Sequence, residues 1–251
     1  MNTEKLEGLS TNLERNKTIQ NITIDIKSER GVVMKNKRVA VIAGTPVDTK
    51  MGVDFLALKG LSASGYPVSS TPEEQSALQI LSPIKLTEEV RNILRRIKGE
   101  GIETVMVYCN SMSAAVDMDK LAAEENVNII TPFTAYRKIA AEYDLIGLMA
   151  ANNQSAAGIE KVLQNENPQC DVFGLGALPL VVEIEKGTPP GNIVEKFSLK
   201  SIVEFFVKNR VEAIILGCTH FPYFYGELEK MTDTVIIDPA ELMYESIISV
   251  L

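Results

Sequence analysis

Cys109 and Cys218 each follow a short apolar segment and each precede small hydrogen-bonding residues, in Tyr108-Cys109-Asn110-Ser111 and Gly217-Cys218-Thr219-His220. A third segment, Ala151-Asn152-Asn153-Gln154-Ser155, also follows an apolar stretch and opens a helical pattern. Strand exits of this kind offer free backbone N–H groups and the positive end of a helix. Such a place suits a carboxylate or a phosphate, and it draws a cysteine pKa down toward neutrality. Most free cysteines are inert core, and Cys170, after Asn167-Pro168-Gln169, reads that way. Cys109 and Cys218 read otherwise because they form a matched pair, one in each half of the chain.

Three chemistries use such a pair. Three cysteines and one histidine could ligate zinc, although Cys170 lacks the matching context and no Cys-x-x-Cys spacing occurs. A thiol–disulfide couple also lacks that spacing. The third is acid–base work at carbon, in which one thiolate removes a proton and an opposed thiol returns one to the other face. A thiol suits both roles because its pKa lies near the operating pH.

The surrounding pattern supplies strands and helices to position these residues. Val39–Ala43, Thr104–Tyr108, Asn128–Ile130, Asp144–Ala150, Asp171–Phe173, Glu212–Leu216 and Thr234–Ile237 are short apolar runs expected of buried strands. Helices are expected over Thr87–Lys98, with Thr87 as N-cap, and over Ala114–Glu125, Ser155–Gln164, Leu199–Lys208 and Glu241–Val250. The alternation implies an α/β fold of two similar lobes, each a mainly parallel sheet flanked by helices. Ligands in such folds sit at the carboxyl ends of strands.

The chain has 251 residues, 45% of them hydrophobic and 23% charged, with a net charge of −8. That composition is globular, and its acidity argues against nucleic-acid binding. No apolar run reaches the roughly 18 residues of a membrane span. The polar N-terminus shows no secretory signal, so a cytoplasmic location and reduced cysteines are expected. Residues 1–36 are polar, with one weakly alternating stretch over 22–26. They read as an extension, either a partly ordered arm or the product of an upstream start codon. Regular organisation begins near residue 37.

Several blocks, in order, resemble the cofactor-independent aspartate/glutamate racemase superfamily, with motifs closest to glutamate racemases. Val107-Tyr108-Cys109-Asn110-Ser111-Met112-Ser113 is similar to that family's first-cysteine motif, and Leu216-Gly217-Cys218-Thr219-His220-Phe221-Pro222-Tyr223 to its second. Ile146–Ala150 with Asn152–Ser155, Ala177–Gly187 and Val235–Glu241 are similar to its intervening and closing blocks. The resemblance covers residues 38–251. It implies lobes of about 37–132 plus a C-terminal segment, and about 133–233, with the active site in the cleft between them. It also implies that Cys109 and Cys218 are the acid–base pair and that His220 assists Cys218. Asn110, Ser111, Asn153, Thr219, Thr45 and Glu185 (or Glu183 in a shifted register) would bind substrate. The implied reaction is racemisation of glutamate or aspartate without pyridoxal phosphate, with no cofactor and no metal, and the resemblance extends to a homodimer.

The first loop departs from that family. Ala43-Gly44-Thr45-Pro46-Val47-Asp48 has no acid where the family's Asp-Ser-Gly motif has one. Thr45 would fill part of that role, and Asp48 could reach inward from the loop. The segment Gly65–Gln75 stands near the family's substrate loop, and Gln75 facing the site could recognise a different side chain. Two alternatives therefore stay open: the same fold acting on another small carboxylate or a hydantoin, and a non-catalytic small-ligand-binding relative.

Overall fold

The computed structural model describes residues 38–251; the reading of residues 1–36 lies outside them. Among the described residues eight strands form two four-stranded sheets, and every strand pair is parallel. The first sheet holds β1 (Arg38–Ala43), β2 (Ser62–Pro67), β3 (Thr104–Val107) and β4 (Asn128–Ile130) in the order β2-β1-β3-β4. The second holds β5 (Leu145–Ala150), β6 (Asp171–Gly176), β7 (Ala213–Gly217) and β8 (Val235–Ile237) in the order β6-β5-β7-β8. The two orders are the same topology. Cys109 and Cys218 therefore leave the equivalent inner strands, β3 and β7, at their carboxyl ends.

The apolar runs marked every strand except β2, and among these the inner strands are the most deeply buried. Val39–Ala43, Val105–Val107, Ile146, Leu148–Ala150 and Ala213–Leu216 are buried, because helices cover both faces of a parallel sheet. The edge strand β2, SASGYP, was not visible in the sequence. It pairs with β1 from Arg38↔Ser62 to Ala43↔Pro67, but an edge strand shares less of the core and can be built from small residues. Its proline comes last, where no further ladder bond is needed.

Helix bounds differ from the expected ones for local reasons. Helix α1 (Pro46–Leu58), α2 (Pro72–Leu81) and α3 (Pro83–Gly99) follow β1 and β2. The expected start at Thr87 is wrong: α3 begins at Pro83, a residue suited to the first helical position. Thr87 lies inside it, its Oγ1 donating to the Pro83 carbonyl at 2.8 Å. The expected single helix Ala114–Glu125 is two, α4 (Asn110–Ala115) and α5 (Met118–Glu125). Val116 is extended, and Asp117 restarts the helix by accepting the Lys120 N–H at 3.0 Å.

Helix α6 (Pro132–Ala140) leads to the second sheet, and α7 (Asn153–Glu166) follows β5. Then come α8 (Leu178–Glu185), α9 (Pro190–Lys196) and α10 (Leu199–Lys208) before β7, with short α11 (Tyr225–Leu228) after it. The last helix, α12 (Pro239–Val250), returns to pack on α6, β3 and β4. Lys59 at the end of α1 pairs with its Glu241 at 2.6 Å.

Helices α4 and α7, one behind each sheet's site-facing end, pack directly on each other. Gly158 makes this possible: a Cβ there would lie 2.6 Å from the Ala114 Cβ. Gly158→Leu should push the helices apart and destabilise the fold by about 1–3 kcal/mol, the usual cost of overpacking. Urea denaturation checks it, with Gly191→Ala, whose surroundings are open, expected to stay near wild type.

Candidate active site

Both sulfurs face one small cavity, and the two strand exits are tied together beside it. Tyr108 on the β3 exit donates its hydroxyl to the Thr219 carbonyl on the β7 exit at 3.3 Å. Tyr136 on α6 donates to Asn110 Oδ1, which orients the asparagine next to Cys109. The cavity is lined by Cys109, Asn110, Ser111, Cys218, Thr219 and His220, with Asp48, Gln75, Asn152 and the apolar walls Pro72, Ala151, Leu178 and Val181. Its open volume is about 20 Å³, room for a water molecule.

Cys109 is the N-cap of α4, and its Sγ receives Gln75 Nε2 at 2.8 Å and lies 3.5 Å from Ser111 Oγ. The strand exit was expected to bring its thiol toward neutrality. Instead burial, with the charge of Asp48 nearby, pushes it up to about 12. The six residues of α4 are too little to offset desolvation of a thiolate.

Cys218 has a different partner. His220 Nδ1 is 3.7 Å from its Sγ, and His220 Nε2 is 2.9 Å from Glu185 Oε1. Burial alone would lower the imidazole pKa, but the contacts with Cys218 and Glu185, and the charge of Asp48, carry it up to about 10. Burial likewise opposes ionisation of Glu185, and the bonds from His220 and Thr45 overcome it, so its carboxyl is held low. His220 is thus an imidazolium between a sulfur and a carboxylate.

The chain of contacts continues into the first loop. Thr45 Oγ1 donates to Glu185 Oε1 at 2.5 Å and lies 3.1 Å from Asp48 Oδ1. Thr45 and Asp48 also form the capping box of α1. Gly44 N and Thr45 N donate to the Asp48 carboxylate at 3.2 and 2.7 Å. An acid one helical turn past the first loop, Asp48, thus lines the cavity although the first-loop motif itself has none. Burial pushes the Asp48 carboxyl up. Thr45 has one hydroxyl proton, which the shorter contact assigns to Glu185.

Six of the nine sequence-predicted residues line the cavity: Cys109, Cys218, His220, Asn110, Ser111 and Thr219. Thr45 and Glu185 do not line the space: Glu185 bonds His220 directly, and fully buried Thr45 bonds Glu185. Asn153 is exposed, and its neighbour Asn152 lines the cavity while capping α7 through the Ser155 N–H at 2.8 Å. Glu183 pairs with Lys186 and Lys196 away from the cysteines. Tyr108 and Tyr136 are not evident from the sequence: neither a tyrosine ending an apolar strand nor one inside a helix carries a signal of where its hydroxyl goes. Among the described residues no group of three or more His, Cys, Asp or Glu side chains is placed to hold a metal ion. No helix there is long and apolar enough to cross a membrane.

A family model described as Asp/Glu/Hydantoin racemase matches residues 60–247. The chain belongs to that family. A glutamate racemase of Aquifex pyrophilus is 30% identical over 154 residues, 59% of this chain and 58% of that protein. One from Limosilactobacillus reuteri is 27% identical over 165 residues, 62% and 61% of the two chains. The match thus spans about three-fifths of the length of these relatives. The fold is that of the glutamate racemase of Francisella tularensis solved with D-glutamate: TM-score 0.70, 19% identity, 86% of this chain and 81% of that one. It is also that of the aspartate racemase of Picrophilus torridus: TM-score 0.65, 16% identity, 86% and 94%.

His220 is the single histidine of the chain, so its ring protons titrate without overlap. They should show imidazolium shifts through pH 6–8, with a midpoint near 10. A raised folded-state value means that this stabilisation is complete below the ordinary histidine pKa of about 6.5 and fades as pH rises toward the folded one. Glu185→Gln should lower the midpoint. An unchanged midpoint in that variant would remove Glu185 as the source.

Proposed function

We propose that this protein is an amino-acid racemase acting on glutamate or aspartate by two-base catalysis, with Cys109 and Cys218 as the acid–base pair. The observation that carries the reading is the placement of both sulfurs, from equivalent strands of two sheets, on one buried cavity. Family membership and the glutamate and aspartate racemases among its relatives support the substrate class.

With the substrate Cα between the sulfurs, one thiolate takes the α-proton and becomes a thiol. The other thiol delivers its proton to the opposite face and becomes a thiolate. The enantiomer is inverted, and the enzyme is left in the mirror protonation state. The α-proton is weakly acidic, so the negative charge arising on the substrate needs fixed donors in a dry site. Asn110 and Ser111 are placed to serve its carboxylate or amine on the Cys109 side, with Thr219 on the Cys218 side. His220, charged and held by Glu185, stabilises negative charge on the Cys218 sulfur. Thr45 positions Glu185. Asn152 takes the place expected of Asn153. No cofactor is required by this sequence of proton transfers.

A second substrate class, another small carboxylate or a hydantoin, is favoured by one feature: Gln75 lies against Cys109. Purified protein in D₂O with L- and D-glutamate, aspartate, neutral amino acids and hydantoins, followed by proton NMR, decides between them. Deuterium at Cα with inversion on an acidic amino acid is expected. Cys109→Ser and Cys218→Ser should each remain folded and lose at least about a hundredfold in rate, in the range of a general acid–base group. Full activity in either variant would end the two-base assignment.

A further inference from the structure

The two sulfurs have unequal support. Cys218 has a cation beside it, His220 backed by Glu185. The charged and titratable neighbours of Cys109 are Asp48 on α1 and Cys218 across the cavity, and both make negative charge on its sulfur harder to form. An acid–base cysteine in that setting needs a donor.

Gln75 supplies one, and the fold aims it. Residues 69–75 are pinned to the first loop: Ser69 N and Oγ donate to the Gly44 carbonyl at 2.8 and 2.6 Å. Thr71 caps α2 by accepting the Glu74 N–H at 3.1 Å, and Glu74 Oε2 accepts the Ser70 N–H at 2.8 Å. Gln75 follows in the first turn of α2, 7% exposed, and its Nε2 donates to Cys109 Sγ at 2.8 Å. The space its amide occupies exists because residue 44 is glycine: a Cβ there would lie 1.7 Å from Gln75 Oε1. A long polar side chain is thus buried in a slot whose open end is the sulfur.

We propose that Gln75 is a catalytic residue of the Cys109 half-reaction, its amide N–H stabilising negative charge on the sulfur while leaving that sulfur free to be protonated. This rests on the racemase reading above. A racemase thiol must exist in both forms, since it is base toward one enantiomer and acid toward the other. An amide has a donor and an acceptor. Its N–H serves the thiolate, and after rotation its Oε1 can accept from the thiol. When Cys109 takes the Cα proton, the S⁻ becomes S–H and the charge passes to the substrate carbon; in reverse the proton returns to carbon and the amide N–H again meets S⁻.

The test uses Gln75→Leu, nearly the same size but without donors, and Gln75→Glu, which sets a carboxylate by the sulfur. In otherwise wild-type protein, kcat/KM should fall about tenfold or more in Gln75→Leu and further in Gln75→Glu. The fall should be equal for both enantiomers, because their equilibrium is fixed. A readout independent of turnover uses the Cys170→Ser/Cys218→Ser chain, in which iodoacetamide labels Cys109 alone. At pH 8, mass spectrometry should show Gln75→Leu alkylating about tenfold more slowly than its parent, the effect of losing one hydrogen bond to a charged group. Should Gln75→Leu melt much below wild type, Gln75→Met gives the same comparison. Alkylation as fast as in the parent with unchanged kcat/KM would overturn the proposal and reduce Gln75 to packing. If the wild-type protein exchanges no substrate Cα proton, the racemase reading fails, and the alkylation rates still decide whether Gln75 supports charge on Cys109.

Discussion

The site depends on keeping a positive imidazole buried. His220 is 3% exposed, and an isolated imidazolium at that depth would lose its proton. It keeps it because Glu185 accepts from one ring nitrogen and Cys218 lies by the other. Glu185, in turn, is held by Thr45, and Thr45 is fixed by its role at the start of α1. The capping of a helix in the first sheet and the charge beside the sulfur in the second are thus parts of one hydrogen-bonded chain. That chain, with the Tyr108–Thr219 bond, sets how the two strand exits meet.

The same chain makes the two halves chemically unlike while their topology is alike. Each sheet places a cysteine at the end of its inner strand and an N-capped helix beside it, after β1 in one case and β5 in the other. At the residue three positions past the cap, one half has Asp48 and the other Ser155. The acid brings negative charge toward Cys109, and the serine brings none. Cys218 gains a histidine; Cys109 gains an amide from α2. Symmetry of the fold supplies two opposed sulfurs, and these substitutions give each its own electrostatic setting.

The space facing the two sulfurs is small, about 20 Å³. Gln75 and the apolar residues Pro72, Leu178 and Val181 come from helices that begin just beyond the strand exits. A dry site strengthens every charge interaction inside it.

Much of this was legible in the sequence. The inner strands announced themselves as apolar runs, because burial on both faces leaves no room for alternation, and the cysteines were found by what flanks them. Edge strand β2 was hidden because small residues suffice where the core is thin. The break at Val116–Asp117 was hidden because a cap inside an apolar pattern is easily read as continuous helix. The sequence alone determined which residues could do chemistry, since residue type and local context are properties of the chain. Only the tertiary structure decided which of them meet. Hydrogen bonds such as Thr45–Glu185 and Gln75–Cys109 join residues 140 and 34 positions apart, and the Cys109 pKa is set by burial that no local pattern records.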